Sequence, residues 1–240
     1  MDYLLVLAMG VVAGTLSGII GFGSSMMLMP ILVIVFGPLQ AVPIMALAAV
    51  LANLSRIMAW WREVDWCACG AYAATALPAA ALGARTLLVL PASVMEGALG
   101  IFFILMIPLR RWLAARQVRL KAWHLAALGA PIGFLTGIVA TTGPITVPIF
   151  LAYGLVKGAF LATEAAGSLA VYGAKIAVFR SFGAMPLDII LKGLITGSSL
   201  MVGSFIAKRL LLHVKPESFR LMMDGLMLAS GLAMLWTAAR

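Results

Sequence analysis

Charge is scarce in this chain. Of its 240 residues 10% are Asp, Glu, Lys or Arg and 64% are hydrophobic, where a soluble domain carries about 25% charged residues. That shortage excludes a water-facing surface over most of the chain. The formal charge of +9 has no polar surface on which to form a patch for nucleic acid, so DNA and RNA are excluded as partners. Acids are scarcer still, eight against 17 Lys and Arg. Cysteine is limited to Cys67 and Cys69, which stand too close for an ordinary structural disulfide and lack the company of a zinc site, so both read as packing residues. The two histidines, His124 and His213, fall at predicted membrane edges with no acid or cysteine beside them, which argues against metal or relay roles. Missing too are HExxH, GxSxG, the P-loop and the dinucleotide fingerprint, and no carboxylate cluster offers an acid and a base. The sequence therefore predicts no catalytic residue, no metal and no cofactor.

What is present is hydrophobic length. No charge interrupts Tyr3 to Ser55, and further charge-free runs cover Trp66 to Ala84, Gly97 to Leu109, Leu125 to Val156, Gly193 to Ala207 and Gly225 to Ala239. Runs near or above about 18 residues read as membrane spans, so the predicted class is an all-α, polytopic integral membrane protein embedded in a lipid bilayer. The first run has no basic leader and no small-residue cleavage site, so it is expected to be kept as structure. The stretch "RRWLAARQVRLK", Arg110 to Lys121, carries five cations, with no acid between Gly97 and Thr163. The positive-inside rule places this central loop in the cytoplasm.

On either side of that loop the sequence repeats itself. When "GVVAGTLSGIIGFGSSMMLMPIL" is set above "GAPIGFLTGIVATTGPITVPIF", Gly10, Gly14, Leu16, Ser17 and Gly18 fall on Gly129, Gly133, Leu135, Thr136 and Gly137. Pro30 meets Pro148 after a one-residue deletion, and Arg56-Ile57 matches Lys175-Ile176. The organisation expected is repeat 1 over 1–113 (broken segment 4–36, helices 41–61, 66–90 and 94–109), a basic loop over 110–121, and repeat 2 over 122–240 (broken segment 125–154, helices 159–179, 187–212 and 219–236). Each broken segment is too long for one straight crossing of a core of about 30 Å. It must tilt, break or fold back. Folding back makes the repeats inverted and brings Lys157, Lys208, Arg209 and Lys215 to the cytoplasm, as positive-inside prefers; a single crossing makes the repeats parallel.

A helix break inside a bilayer is tolerated only where it is buried in protein or lines a wet cavity. Gly21 and Gly23 permit the turn, and Pro30 is expected to give the next helix a fresh start. The new helix N-terminus offers free N–H groups, and Ser24 and Ser25 add hydroxyls, a combination that suits an anion. Thr141, Thr142, Gly143 and Pro144 rebuild the device in the second half. Paired breaks at matching positions point to the midplane site of a secondary transporter. Gly10, Gly14 and Gly18, by contrast, read as close-packing positions.

Charges within the spans are expensive and mark candidate sites. Arg56 and Lys175 occupy matching positions, each preceded by a polar side chain, Asn53 and Tyr172. Two readings stand: a paired-cation pocket for an anion, or snorkelling residues at the membrane edge. Glu164 is the sole acid between Glu96 and Asp188, either a helix-end residue near Lys157 or a proton-coupling carboxylate. Arg85 reads as paired or as reaching the headgroups.

The first broken segment, its echo at "GFLTGIVATTGPITVPIF" and the repeat ending "LGARTLLVLPASVMEGALG" together resemble the sulfite exporter TauE/SafE family of bacterial inner-membrane transporters. Where that family continues its first break with glycine this chain has Ser24 and Ser25, and its second break carries Thr141 and Thr142. The resemblance implies export of sulfite or a related small sulfur-containing anion such as an organosulfonate, by alternating access across the inner membrane. The anion then sits among Gly21, Gly23, Ser24, Ser25, Asn53, Arg56, Thr141, Thr142, Gly143, Tyr172 and Lys175. An inside-negative potential favours anion exit by about 2.3 kcal/mol per charge per 100 mV, so uniport suffices. An anion channel, a membrane scaffold or an enzyme subunit remains as an alternative, and homo-oligomerisation stays open.

Overall fold

Lipid offers a peptide group no hydrogen-bond partner, so a chain this apolar must satisfy its backbone within each segment, and helices do so. In the computed structural model every regular element among the described residues is helical. The structure describes residues 2–20, 23–91, 119–138 and 143–210, with isolated positions between 94 and 112 and between 225 and 236. The helices are α1 (Asp2–Ile20), α2 (Ser24–Phe36), α3 (Pro38–Trp60), α4 (Trp66–Val89), α5 (Ala122–Ile138), α6 (Gly143–Tyr153), α7 (Lys157–Ser181) and α8 (Leu187–Leu210), with a 3-10 turn at Trp61–Glu63 between α3 and α4. Among the described residues three stretches are long and apolar enough to cross a membrane: Leu39–Glu63, Trp66–Val89 and Leu187–Ala207. The predicted helices 94–109 and 219–236, and the loop over 110–118, lie largely outside the described residues.

Backbone chemistry sets the helix ends. Proline is favourable in a first turn because its missing N–H has no helical partner there, so α3 starts at Pro38, directly after Gly37. Asp65 caps α4 by accepting a hydrogen bond from the Ala68 amide at 3.0 Å. The turn into α2 rests on Gly23, at φ 110°, a left-handed conformation that glycine alone adopts freely. Pro30 does not start the new helix; it lies inside α2, and the change of direction falls at Gly23 because the positive φ, not a missing donor, is what redirects the chain.

Close helix contacts run between the two halves of the sequence. α1 lies on α8, with Gly10 against Ser199, Gly14 against Leu200 and Gly18 against Ala207. α5 lies on α4, with Gly129 against Tyr72 and Thr75, Gly133 against Ala76 and Gly137 against Ala80. In both pairs the numbers rise together, so the helices run parallel. Small residues let backbones approach in this way, which is how helices attract one another where lipid is as apolar as leucine. α3 and α7 lie at the centre and touch each other; α3 also packs on α8, and α7 on α4.

These contacts fix the two ends of the bundle. Lys192 Nζ donates to Gln40 Oε1 at 2.8 Å, so α8 and α3 start at one end. Because α1 runs with α8, it starts there as well, and α2 comes back there to join α3. The Leu120 amide donates to the Ala152 carbonyl at 2.9 Å, which brings the start of α5 to the end of α6. That joint lies at the opposite end, where α3 finishes and α4 begins. α1–α2 and α5–α6 are thus two helical hairpins entering from opposite ends.

Candidate functional site

The central helices present two matching faces. On α3 the residues facing inward are Ala49, Ala52, Asn53 and Arg56; on α7 they are Glu164, Ser168, Val171 and Tyr172. Spacings of three and four put each set on one helical stripe. Between them lies a cavity of about 30 Å³, closed on one side by Gly23, Ser24 and Ser25 at the start of α2 and on another by Gly143 at the start of α6. Two helix N-termini therefore face one small space, each with amides that lack helical acceptors and each carrying about half a positive charge.

Ion pairing organises the polar groups there. Arg56 Nη1 stands 3.1 Å from Glu164 Oε2, with the two side chains 9% and 4% exposed. Arg56 Nη2 donates to Asn53 Oδ1. The other Glu164 oxygen accepts from Ser168 Oγ at 2.8 Å and from Thr146 Oγ1 at 3.2 Å. Glu164 lies two turns inside α7 and not at its end beside Lys157, because α7 begins at Lys157 itself. A buried pair of this kind roughly breaks even against apolar packing, so stability gives little reason for it. Burial of both charges within the helical bundle marks the pair as a functional candidate.

Arg56 and Lys175 are placed differently. Lys175 is fully buried, and its Nζ donates to the Thr136 carbonyl at 2.9 Å and lies 5.6 Å from the Phe179 ring centroid. Thr136 belongs to the last turn of α5, where carbonyls lack helical donors, so the ammonium caps the truncated helix and complements its negative end. Thr136 lines the cavity and Lys175 stands behind it. The arginine meets the cavity directly; the lysine supports its wall.

Of the other residues singled out by sequence, Gly23, Ser24, Ser25, Asn53, Gly143 and Tyr172 line this cavity, while Gly21, Thr141 and Thr142 lie outside the described residues. Sequence reasoning passed over Tyr72, Thr136, Thr146 and Ser168. Ser168 stands one turn after Glu164, a spacing that could have drawn attention to it. Thr136 was visible only as the partner of Ser17 in the repeat. Tyr72, packed edge-on against Phe150 at 5.4 Å between centroids, gave no signal at all.

The family model described as "Sulfite exporter TauE/SafE" matches residues 6–234, nearly the full chain. No curated protein and no solved structure matches the sequence.

Proposed function

Because the chain belongs to the sulfite exporter TauE/SafE family, a family of membrane transporters and not of enzymes, we propose that it carries sulfite or a related small sulfur oxyanion out of the cell by alternating access at the cavity between α3 and α7. The observation that carries this reading is the convergence of Arg56 with the first turns of α2 and α6 on one buried space. An anion there meets a guanidinium, the Ser24 and Ser25 hydroxyls, Asn53, Tyr172 and the amides around Gly23 and Gly143. Gly21, Thr141 and Thr142, outside the described residues, remain proposed ligands on their chemistry in this reading. Charge-assisted hydrogen bonds from such donors are about twice as strong as neutral ones.

The same reading takes 1–113 and 122–240 as inverted repeats. Its support is the exchange of contacts, α1 on α8 and α5 on α4, and the entry of the two hairpins from opposite ends. Movement of one hairpin and its glycine-matched partner past the central helices would open the cavity to one side and then to the other. The end bearing Arg119, Lys121 and Arg62 faces the cytoplasm of an inner-membrane protein under the positive-inside rule.

Orientation has a direct test. Cys67 is exposed near the start of α4 and Cys69 is buried. A membrane-impermeant maleimide is expected to label Cys67 in inside-out vesicles and not in right-side-out ones, with Cys69→Ser unchanged in labelling. Labelling from the outside would reverse the assigned topology. Function is tested with radiolabelled sulfite in proteoliposomes: saturable uptake above empty liposomes supports the exporter reading, and linear, non-saturating flux without counterflow would favour a channel. Absence of sulfite and taurine flux would overturn it.

A further inference from the structure

Resting on the anion reading of this cavity, we infer that Glu164 and the transported anion exchange places on Arg56, so that each anion crosses together with one proton held on the Glu164 carboxylate. The carboxylate already sits where an oxyanion would bind, with Oε2 3.1 Å from Arg56 Nη1. The remaining space is about 30 Å³, enough for about two water molecules. A sulfur oxyanion with its several heavy atoms reaches the guanidinium only if Glu164 gives way.

Charge decides how it gives way. Arg56 and ionised Glu164 sum to zero. Adding a monoanion to the intact pair would set two anionic groups against one buried guanidinium, and a carboxylate beside a like charge is relieved by taking up a proton. Protonated Glu164 leaves Arg56 and the anion as the new neutral pair. The carboxyl then needs one acceptor while keeping acceptor capacity of its own, and the Ser168 and Thr146 hydroxyls, which both serve Oε1, can rotate to supply it.

Other titratable groups around α7 do not take this role. Tyr72 from α4 and Tyr172 from α7 itself line the cavity, but a phenol is neutral near pH 7. Lys175 is bound to the Thr136 carbonyl. The Asp65 carboxylate caps α4, Cys69 packs with Ala162 and Ala166, and Glu63 lies against Gly158 at the start of α7, nearly two turns from Glu164. Arg62 lies over the Trp61 ring. Among the described residues, α2, α5 and α6 bring hydroxyl groups and backbone to the cavity. The step balances simply. A proton from the aqueous side converts the carboxylate to the acid as the anion binds; on the opposite side the anion leaves, the proton follows, and the ion pair closes again. Loaded and empty sites carry the same charge, so transport of a monoanion is electroneutral.

The test separates exchange from net movement. Proteoliposomes holding the full chain are loaded with sulfite, and exchange against labelled sulfite is compared with net efflux for the wild type, Glu164→Gln and Glu164→Asp. Glutamine cannot release a proton, so the emptied site keeps an uncompensated Arg56 and does not reorient. Glu164→Gln is expected to lose net efflux at least tenfold more than it loses exchange, and Glu164→Asp is expected to keep the two in step. In the wild type a potassium–valinomycin potential is expected to change net bisulfite efflux less than twofold, whereas a pH step changes it several-fold. Wild-type efflux that follows the potential and ignores the pH step would overturn proton coupling while leaving the sulfite exporter intact, and that arm needs no variant to fold. Equal loss of exchange and efflux in Glu164→Gln, with Glu164→Asp normal, would likewise count against it. Wild-type protein that moves no sulfite in either mode would overturn the exporter reading itself.

Discussion

Replacing Arg56 by leucine is expected to reduce saturable sulfite flux to the level of empty proteoliposomes and also to destabilise the protein. The two effects have separate causes. Loss of the guanidinium removes the group that balances the anion, worth about 3 kcal/mol or roughly 100-fold in affinity for a desolvated charged hydrogen bond. It also strands Glu164, which is 3% exposed, and breaking one side of a buried ion pair costs about 3–5 kcal/mol. A second substitution separates them. Arg56→Leu with Glu164→Leu removes both charges, so thermal stability in detergent is expected to return to near the wild-type value while transport stays lost. A double variant that transports would show that Arg56 is a structural ion-pair partner and not the anion's ligand.

Gly133→Val is expected to prevent accumulation of folded protein. A Cβ at this position would meet the Ala76 carbonyl oxygen and lie 2.6 Å from the Ala76 Cα. Those atoms belong to the backbone of α4, so no side-chain rotation relieves the clash and the two helices must separate. Overpacking typically costs about 1–3 kcal/mol and more where backbone must move, a large part of the 5–15 kcal/mol that commonly holds a domain together. Gly173→Ala supplies the contrast. Nothing lies within 4 Å of its Cβ, so it is expected to change the melting temperature little and, if anything, upward, since alanine is the better helix former by about 1 kcal/mol. Recovery of monodisperse protein after size exclusion reads both variants.

How much of this was legible beforehand varies with the distance over which each feature is encoded. The membrane class and helical character follow from composition, because lipid allows few alternatives to a helix. The places where helices stop near residues 20 and 138 are announced by local chemistry, glycine beside hydroxyl residues. The face of α3 was half visible: Asn53 and Arg56 stood out as polar, whereas Ala49 and Ala52, equally part of the cavity wall, look like any membrane alanine. The link from Arg56 to Glu164 spans 108 residues, and no local pattern encodes such a pairing. Glu164 was read beside Lys157 because a charged neighbour in sequence is visible and one across the bundle is not. Lys175 misled in the opposite sense. Its match to Arg56 in the repeat suggested a shared task, but lysine is a compact charge on a flexible stem and arginine a planar fork, and here the stem delivers the ammonium to a helix end.

The glycine stripe of α1 has a consequence in time. Gly10, Gly14 and Gly18 are complementary to Ser199, Leu200, Gly203 and Ala207, which are synthesised roughly 190 residues later, and a contact so distant in sequence closes slowly. α1 therefore waits in the membrane with its narrow face uncovered until α8 has been made. α5, whose partner α4 precedes it, can dock as soon as it emerges. Assembly is asymmetric even where the finished contacts are alike, and the N-terminal hairpin is the part most exposed to quality-control proteases while it waits.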